Sequence, residues 1–294
     1  MPAILDDFKK YYDQYEVSGS FVLYDPQKNK YIFYNQDQYE QSYTPASTFK
    51  IFNSLIGLET GVIKDMNYVI AWDSISRQNP KWNTDQDLKT AFGNSTVWYY
   101  QKLARRVGAK QMKYWLEKTK YGNADTSGGI DKFWLSGGLR ISPKQQIEFL
   151  QQLHNNQLPF TQRSMDIVKE IMIKKDTSNY VLRSKSGWGF QDNTDIGWYI
   201  GYLSIKEKVY YFVNCIQTND VNTARGSIAY RPDLAKKEPL LDTMNYKEYN
   251  LLLRPPMSSN SMYEFYLKNK PDQQTSTDSN PKMFVPNTKS SHMR

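Results

Sequence analysis

The sequence predicts an α+β fold in which both ends of the chain contribute strands to one antiparallel sheet. Residues 19–24 and 30–35 are rich in strand-forming side chains and are joined by a turn-rich link. Residues 60–175 have helical periodicity instead, with helices expected near 95–107, 110–119, 143–154 and 163–174. Three strand-like runs follow at 181–185, 196–203 and 209–216. The helical stretch is therefore predicted to be an insertion, with a cleft between it and the sheet.

This pattern divides the chain into domains. We expect a discontinuous sheet domain over residues 1–59 and 176–232, which begins with an amphipathic helix at 4–16, and a helical domain over residues 60–175. From residue 233 to 294 prolines punctuate a stretch with little apolar periodicity, which becomes rich in Gln, Thr, Ser and Asn. This composition predicts an atypical, largely disordered C-terminal tail.

Composition narrows the classes of function. The formal net charge is +8 over 294 residues, but the lysines are spread along the chain without a nucleic-acid-binding motif. We therefore expect no nucleic acid, and the charge leaves small anionic ligands open. The single cysteine, Cys215, lies in an apolar run and is interpreted as a buried structural thiol. With only His154 and His292 as histidines, we expect no metal site and no histidine-based triad.

The sequence contains no signal for membrane insertion or export. No apolar run reaches transmembrane length, and residues 1–7 lack the basic and apolar regions of a signal peptide. We therefore expect no membrane segment in this chain, and either a cytosolic location or the earlier removal of a leader.

Segment 44–50 is the clearest candidate for chemistry. Thr44 is a good helix N-cap and Pro45 suits the first helical position, which predicts a helix that ends near Gly61. Ser47 and Lys50 then share one helical face. The helix is apolar almost all round, so Lys50 should be buried with a lowered pKa. A serine hydroxyl is a weak nucleophile without a nearby base, and this spacing supplies one.

A simpler interpretation is open for each of these residues. Ser47 could be an ordinary residue of the first helical turn, and the Lys50 side chain could extend to solvent. Two further motifs weigh against it: Ser95-x-Val97, and Lys185-Ser186-Gly187 in the strand after the helical region. A Ser-x-x-Lys motif, a second serine motif and Lys-[Ser/Thr]-Gly, in that order, are typical of penicillin-recognising serine enzymes.

With Tyr121-Gly122-Asn123 and Phe133-Trp134-Leu135 added, the sequence resembles the class D, or oxacillinase-type, serine β-lactamases from about residue 19 to 225. The resemblance implies the penicillin-binding fold, an antiparallel sheet of five or more strands flanked by N- and C-terminal helices. It also implies hydrolysis of β-lactam antibiotics, a small-molecule substrate, and a periplasmic or secreted location. No cofactor is implied beyond the CO2 or bicarbonate that carboxylates a lysine.

The resemblance implies a role for each matching residue. Ser47 would be the acylated nucleophile, and Lys50 would be an N6-carboxylysine that acts as the general base. Ser95 would relay a proton to the departing lactam nitrogen, Lys185 would supply positive potential, and the Trp134 indole N–H would bind the carbamate. The burial of Lys50 is consistent with this role, since only a neutral amine attacks CO2.

The remaining matches imply substrate contacts. Val97 and Leu135 would line the carbamate pocket, and the backbone N–H groups of Ser47 and Trp188 would form the oxyanion hole. The substrate carboxylate would bind Ser186 and Arg225, and Gly187 would let the substrate lie against the strand edge. Single residues also have simpler interpretations: Ser95 as a helix cap, Trp134 as core, and Arg225 as a surface arginine.

Two features leave alternatives open. The family ends in a long helix after the carboxylate-binding arginine, but here Pro232 should interrupt that helix. The extracellular sensor domains of β-lactam-responsive signalling proteins carry the same motifs, so a receptor that is acylated but hardly turns over is the main rival to an enzyme. A transpeptidase and a non-enzymatic binding module fit the motifs less well.

Overall fold

The computed structural model of the chain describes residues 3–4 and 8–219. These residues form a seven-stranded sheet with the strand order β1-β3-β2-β7-β6-β5-β4. The strands are β1 Ala3–Ile4, β2 Ser18–Asp25, β3 Lys30–Tyr34, β4 Ile173–Asp176, β5 Val181–Gln191, β6 Thr194–Ile205 and β7 Lys208–Thr218. All neighbouring strands are antiparallel except β1, which pairs in parallel with β3.

Seven helices lie in the described residues, one before β2 and six between β3 and β4; the sequence predicts five of those six and misses Leu88–Gly93. The helices are α1 Lys9–Gln14, α2 Lys50–Glu59, α3 Leu88–Gly93, α4 Val97–Val107, α5 Ala109–Thr119, α6 Pro143–His154 and α7 Gln162–Ile171. The predicted α+β class, with a sheet from both chain ends and a helical insertion, is confirmed. The C-terminal helix that the resemblance implies, the tail at 233–294 and Arg225 all fall outside the described residues. The domain boundaries stay a prediction.

The two ends of the described chain meet in the middle of the sheet. Strand β2 pairs with β7 from Ser18 opposite Gln217 to Tyr24 opposite Tyr211. These strands are rich in β-branched and aromatic residues and are mostly buried on both faces, which is why they occupy central positions. Cys215 in β7 is fully buried, in agreement with its interpretation as a structural thiol.

The helical insertion follows local sequence signals closely. Helix α6 begins with a capping box in which the Ser142 hydroxyl accepts from the Gln145 N–H and the Gln145 side chain bonds back to the Ser142 N–H. Helix α2 is buried at every position from Lys50 to Leu58, so the prediction of a buried helix is confirmed. None of the helices in the described ranges has the length and apolar composition that crossing a membrane requires.

Some elements differ from the sequence-based expectation. The predicted helix at 4–16 starts too early, because Ala3–Ile4 pairs with Ile32–Phe33 as a strand. Helix α3 is only six residues long, too short for a clear helical period, and depends on its Asp87 N-cap. Strand β4 was not expected either. Strand β5 does not end at the Lys-Ser-Gly motif but continues to Gln191, because it stays paired with β6 throughout.

Gly201 tests how closely the strands approach each other. It lies in β6 opposite Ser184, where a Cβ atom would be 2.2 Å from the Arg183 carbonyl oxygen. We expect Gly201→Ala to lower the free energy of unfolding by about 1–3 kcal/mol, because the backbone must shift to relieve the overlap. Urea denaturation measures this. Gly93→Ala is the control, since a Cβ there meets nothing within 4 Å. Equal effects of the two variants would show that the close approach of the strands at Gly201 is not what makes the substitution costly.

Candidate active site

Ser47 and Lys50 meet where a tight turn enters the buried helix. A 3-10 turn, Ala46–Phe49, leads directly into α2, so Ser47 lies in the turn and Lys50 begins the α-helix. Both residues are fully buried, and Lys50 Nζ lies 2.5 Å from Ser47 Oγ. The structure therefore brings the proposed nucleophile and the proposed base into hydrogen-bond contact.

Tertiary contacts, not a local cap, hold this turn. The prediction that Thr44 caps the helix is wrong: its hydroxyl donates to the Trp134 carbonyl oxygen at 3.2 Å, and the turn has no side-chain cap. The Thr44 N–H donates to Gln191 Oε1 at 2.8 Å. Thr48 Oγ1 donates to the Pro45 carbonyl at 2.7 Å. The turn is thus tied both to β5 and to the segment that carries Trp134.

Strand β5 presents bare backbone to the turn. A Cβ atom on Gly187 would lie 3.1 Å from the Pro45 carbonyl oxygen, and one on Gly189 would lie 3.0 Å from Ala46 Cβ. Ala46 itself has a positive φ of 48°, a conformation that costs a non-glycine residue about 1–2 kcal/mol. The close fit against the two glycines accounts for the survival of this strained residue beside Ser47.

The surroundings of Lys50 are apolar and aromatic. Its Nζ lies 5.4 Å from the centre of the Tyr100 ring, and burial lowers the pKa of Lys50 from 10.5 to about 7. Val97 is the first residue of α4 and is buried one turn before Tyr100, on the same helical face. Near neutral pH a large fraction of Lys50 is therefore uncharged and able to act as a base or nucleophile.

Trp134 lies in the core beside the same turn. Its ring stacks on Phe49 with 5.3 Å between centroids, and the residue is fully buried. Its indole Nε1 has no hydrogen-bond partner among the described residues. A buried N–H without a partner costs about 1–3 kcal/mol, so an acceptor is expected there. Leu135 follows, with its carbonyl oxygen 3.5 Å from Thr44 Oγ1.

Asn123 holds the loop that carries Trp134. Its amide nitrogen donates to the Gly138 carbonyl at 2.9 Å, and its amide oxygen accepts from the Arg140 N–H at 2.9 Å. One side chain is thereby bonded to two backbone positions of the segment that follows Trp134, 15 and 17 residues away. This agrees with an architectural role for the Tyr121-Gly122-Asn123 motif.

Ser95 and Lys185 form the second polar pair. Lys185 in β5 donates to Ser95 Oγ at 2.9 Å and to the Ser186 carbonyl at 2.9 Å. Ser95 lies in the turn between α3 and α4 with a positive φ of 54°, and Thr96, not Ser95, occupies the N-cap position of α4. Burial, assisted by the charges of Lys50 and Lys174, holds the pKa of Lys185 well below its usual range.

The free edge of β5 supplies backbone donors. The Ser184 N–H donates to the Met172 carbonyl at 3.0 Å, which fixes the edge toward which it points. Alternate residues of a strand point their N–H groups to the same edge, so those of Ser186 and Trp188 face the stretch beyond β4. The Trp188 side chain lies on the face of the sheet opposite to the Ser47 turn, and its Nε1 donates to Asp195 Oδ1 at 2.9 Å.

The structure describes Ser186 and Gly187 of the predicted substrate contacts, but not Arg225. Ser186 is half-buried, and its hydroxyl makes no hydrogen bond within the described part of the chain. Gly187 borders the Ser47 turn as described above. Arg225 lies outside the described residues. Tyr100 and Phe92 were missed from the sequence, although Tyr100 follows Val97 by one helical turn, a spacing that could have identified it.

Burial of the Lys50 amine should lower the free energy of unfolding. Between pH 7 and 10.5 the unfolded chain binds a proton at Lys50 that the folded chain does not, so stability should rise with pH in this window. We expect Lys50→Met to raise the free energy of unfolding at pH 7 by several kcal/mol, since one pKa unit corresponds to about 1.4 kcal/mol. This gain should shrink toward pH 10.

Urea denaturation at pH 7 and at pH 10 measures both effects. Lys110→Met, at an exposed lysine of α5, is the control and should change stability little at either pH. A Lys50→Met variant that is no more stable than the wild type at pH 7 would contradict the expected cost of burial.

The geometry agrees with what comparisons with known proteins show. Residues 19–237 match the family described as the penicillin binding protein transpeptidase domain. A probable β-lactamase, YbxI from Bacillus subtilis, is 39% identical over 236 residues, which cover 80% of this chain and 84% of that protein. A crystal structure of a class D β-lactamase YbXI from Nostoc has a TM-score of 0.70 at 44% identity, covering 75% of this chain and 96% of that one.

A receptor is also related to the chain. The regulatory protein BlaR1 of Bacillus licheniformis is 34% identical over 213 residues, 72% of this chain but only 35% of that protein. The match to the transpeptidase family covers most of the chain, and the high identity to YbxI extends over most of both proteins. The chain therefore belongs to the penicillin-binding transpeptidase family and, within it, to the class D β-lactamases.

Proposed function

We propose that this protein hydrolyses β-lactams through an acyl-enzyme on Ser47, with Lys50 in its carboxylated form as the general base. The observation that carries the proposal is the buried contact of 2.5 Å between Lys50 Nζ and Ser47 Oγ. Burial lowers the pKa of Lys50 to about 7, so the lysine can take a proton from the serine near neutral pH.

The acylation step follows from the two polar pairs. Ser47 Oγ attacks the lactam carbonyl carbon as its proton passes toward Lys50. The carbon–oxygen bond forms, the carbon–nitrogen bond breaks, and its electron pair stays on the nitrogen. Ser95 then gives that nitrogen a proton and is reprotonated by Lys185, whose Nζ lies 2.9 Å from Ser95 Oγ. The backbone N–H groups of Ser47 and Trp188 donate hydrogen bonds to the carbonyl oxygen, on which negative charge develops.

The residues around Lys50 fit a carbamate. Because burial lowers its pKa to about 7, a large fraction of Lys50 is the neutral amine that adds to CO2. The buried Trp134 Nε1 has no hydrogen-bond partner among the described residues, and a carbamate oxygen would accept from it. When present, the carbamate supplies a carboxylate-like base that serves both acylation and deacylation. Trp134 would hold this group, and Val97 and Leu135 would keep it apart from bulk water.

Substrate binding is proposed at the free edge of β5. The Ser186 hydroxyl has no hydrogen-bond partner within the described residues and would bind the substrate carboxylate together with Arg225, whose planar fork suits that group. Gly187 would contribute only its backbone to this edge, because the Ser47 turn already fills the space that a Cβ atom would occupy. The family relationship also supports the expectation of a periplasmic or secreted location.

A β-lactam sensor is the second candidate. The 34% identity to BlaR1, which is named a regulatory protein, favours it specifically, because that likeness covers 72% of this chain. Both candidates would use Ser47 for acylation. They differ in deacylation, which requires a base that activates water at the acyl-enzyme.

Nitrocefin turnover distinguishes the two candidates. We expect sustained hydrolysis that increases with added bicarbonate. The reason is that carboxylated Lys50 would activate the water that hydrolyses each acyl-enzyme. Lys50→Ala should acylate slowly and then stop, whereas Lys110→Ala, at an exposed lysine, should behave like the wild type. Absorbance gives the turnover, and the intact mass of the protein gives the acylated fraction.

Three results would contradict parts of this proposal. A single stoichiometric burst from the wild type would favour the sensor over the enzyme. Normal turnover by Lys50→Ala would refute Lys50 as the base, and the absence of any acylated species would refute Ser47 as the nucleophile.

A further inference from the structure

A third lysine lies close to the polar pair of Ser95 and Lys185. Lys174 belongs to β4 and to none of the three motifs. Its Nζ lies 5.7 Å from the centre of the Phe92 ring, and Lys185 Nζ lies 5.7 Å from the centre of the same ring. The two nitrogens are therefore at most about 11 Å apart, which is twice the distance of each from the ring centre.

Phe92 explains why the two lysines converge. It is fully buried in α3, three residues before Ser95, and an aromatic face attracts cations within about 6 Å. Lys174 reaches the ring from β4 and Lys185 reaches it from β5, two neighbouring strands of the sheet. One ring therefore lies beside both ammonium groups, next to the turn that carries Ser95.

Among the described residues, neither lysine has a compensating negative charge beside it. Lys174 makes no ion pair and no side-chain hydrogen bond within the described part of the chain. The charged groups that act on Lys185 are Lys50 from α2 and Lys174 from β4, and both are cationic. Burial also lowers the pKa of Lys174. An uncompensated charge in a poorly solvated place acts strongly on its neighbours.

We propose that Lys174 is an electrostatic positioning residue for Lys185, with which it shares the ring of Phe92. This inference rests on the proposed function, because Lys185 matters through Ser95. By weakening the hold of Lys185 on its proton, Lys174 makes Lys185 a stronger acid. The proton leaves Lys185 Nζ for Ser95 Oγ, while the Ser95 hydroxyl proton goes to the lactam nitrogen, so the proton count balances.

The neighbouring lysine provides a matched control. Lys175 has the same charge and follows directly in β4, but it is exposed and lies 5.5 Å from the centre of the Tyr180 ring. Lys175→Met therefore removes one positive charge from the same strand without removing it from Phe92. Lys174→Arg keeps the charge at Phe92 with a different head group.

The experiment measures the titration of Lys185 directly in the ligand-free chain. Protein labelled with 13C,15N-lysine is titrated by NMR in bicarbonate-free buffer, and the Lys185 signal is assigned by its loss in Lys185→Met. We expect the titration midpoint of Lys185 to rise by about one pH unit or more in Lys174→Met. One unit charge has about this effect at an effective dielectric constant near 20 and at the largest separation allowed, about 11 Å. It should stay unchanged in Lys175→Met and stay close to the wild-type value in Lys174→Arg.

The same Lys185 midpoint in Lys174→Met and wild type would overturn the inference, as would an equal rise in Lys175→Met. Lys174→Gln decides the question in the same way if Lys174→Met does not fold by circular dichroism. The intact mass after incubation with nitrocefin tests the proposed function separately. A chain that is never acylated but shows the Lys185 shift refutes only the function, and one that is acylated without the shift refutes only the inference.

Discussion

The removal of the Lys50 amine from water is the constraint on which the site depends. A charged lysine in this position has the Tyr100 ring and the Ser47 hydroxyl as neighbours, and burial brings its pKa to about 7. The same burial that destabilises the ammonium form makes the neutral amine available near physiological pH. The burial that costs stability at Lys50 thus also places a neutral amine beside the Ser47 hydroxyl.

The fold keeps this arrangement in place with elements from distant parts of the chain. The Ser47 turn fits against the bare backbone of Gly187 and Gly189, and Thr44 ties it to the segment that carries Trp134. Strand β5 brings Lys185 to Ser95 on the other side. The sheet connects β5 through β6 and β7 to β2, so both ends of the described chain position the edge of β5 that the proposed function uses. Such preorganised donors and bases act without reorganisation during the reaction.

Those features that depend on local sequence preferences could be predicted from the sequence. The Ser142-Pro143 helix start, the burial of α2 and the contact of Ser47 with Lys50 follow from capping, apolar composition and three-residue spacing. Prediction failed where tertiary contacts prevail over local preference. Thr44 is a good N-cap by type, yet its hydroxyl bonds to the Trp134 carbonyl, and the position of Lys174 depends on a strand too short to recognise.

The most direct test of the account is 13C NMR of the protein in 13C-labelled bicarbonate. We predict a carbamate resonance that is lost in Lys50→Met and weakened in Trp134→Phe, which removes the one N–H expected to bind the carbamate. Trp115→Phe is the control, because Trp115 is another buried indole whose Nε1 has no partner among the described residues. A resonance that persists in Lys50→Met, or none in the wild type, would contradict the account.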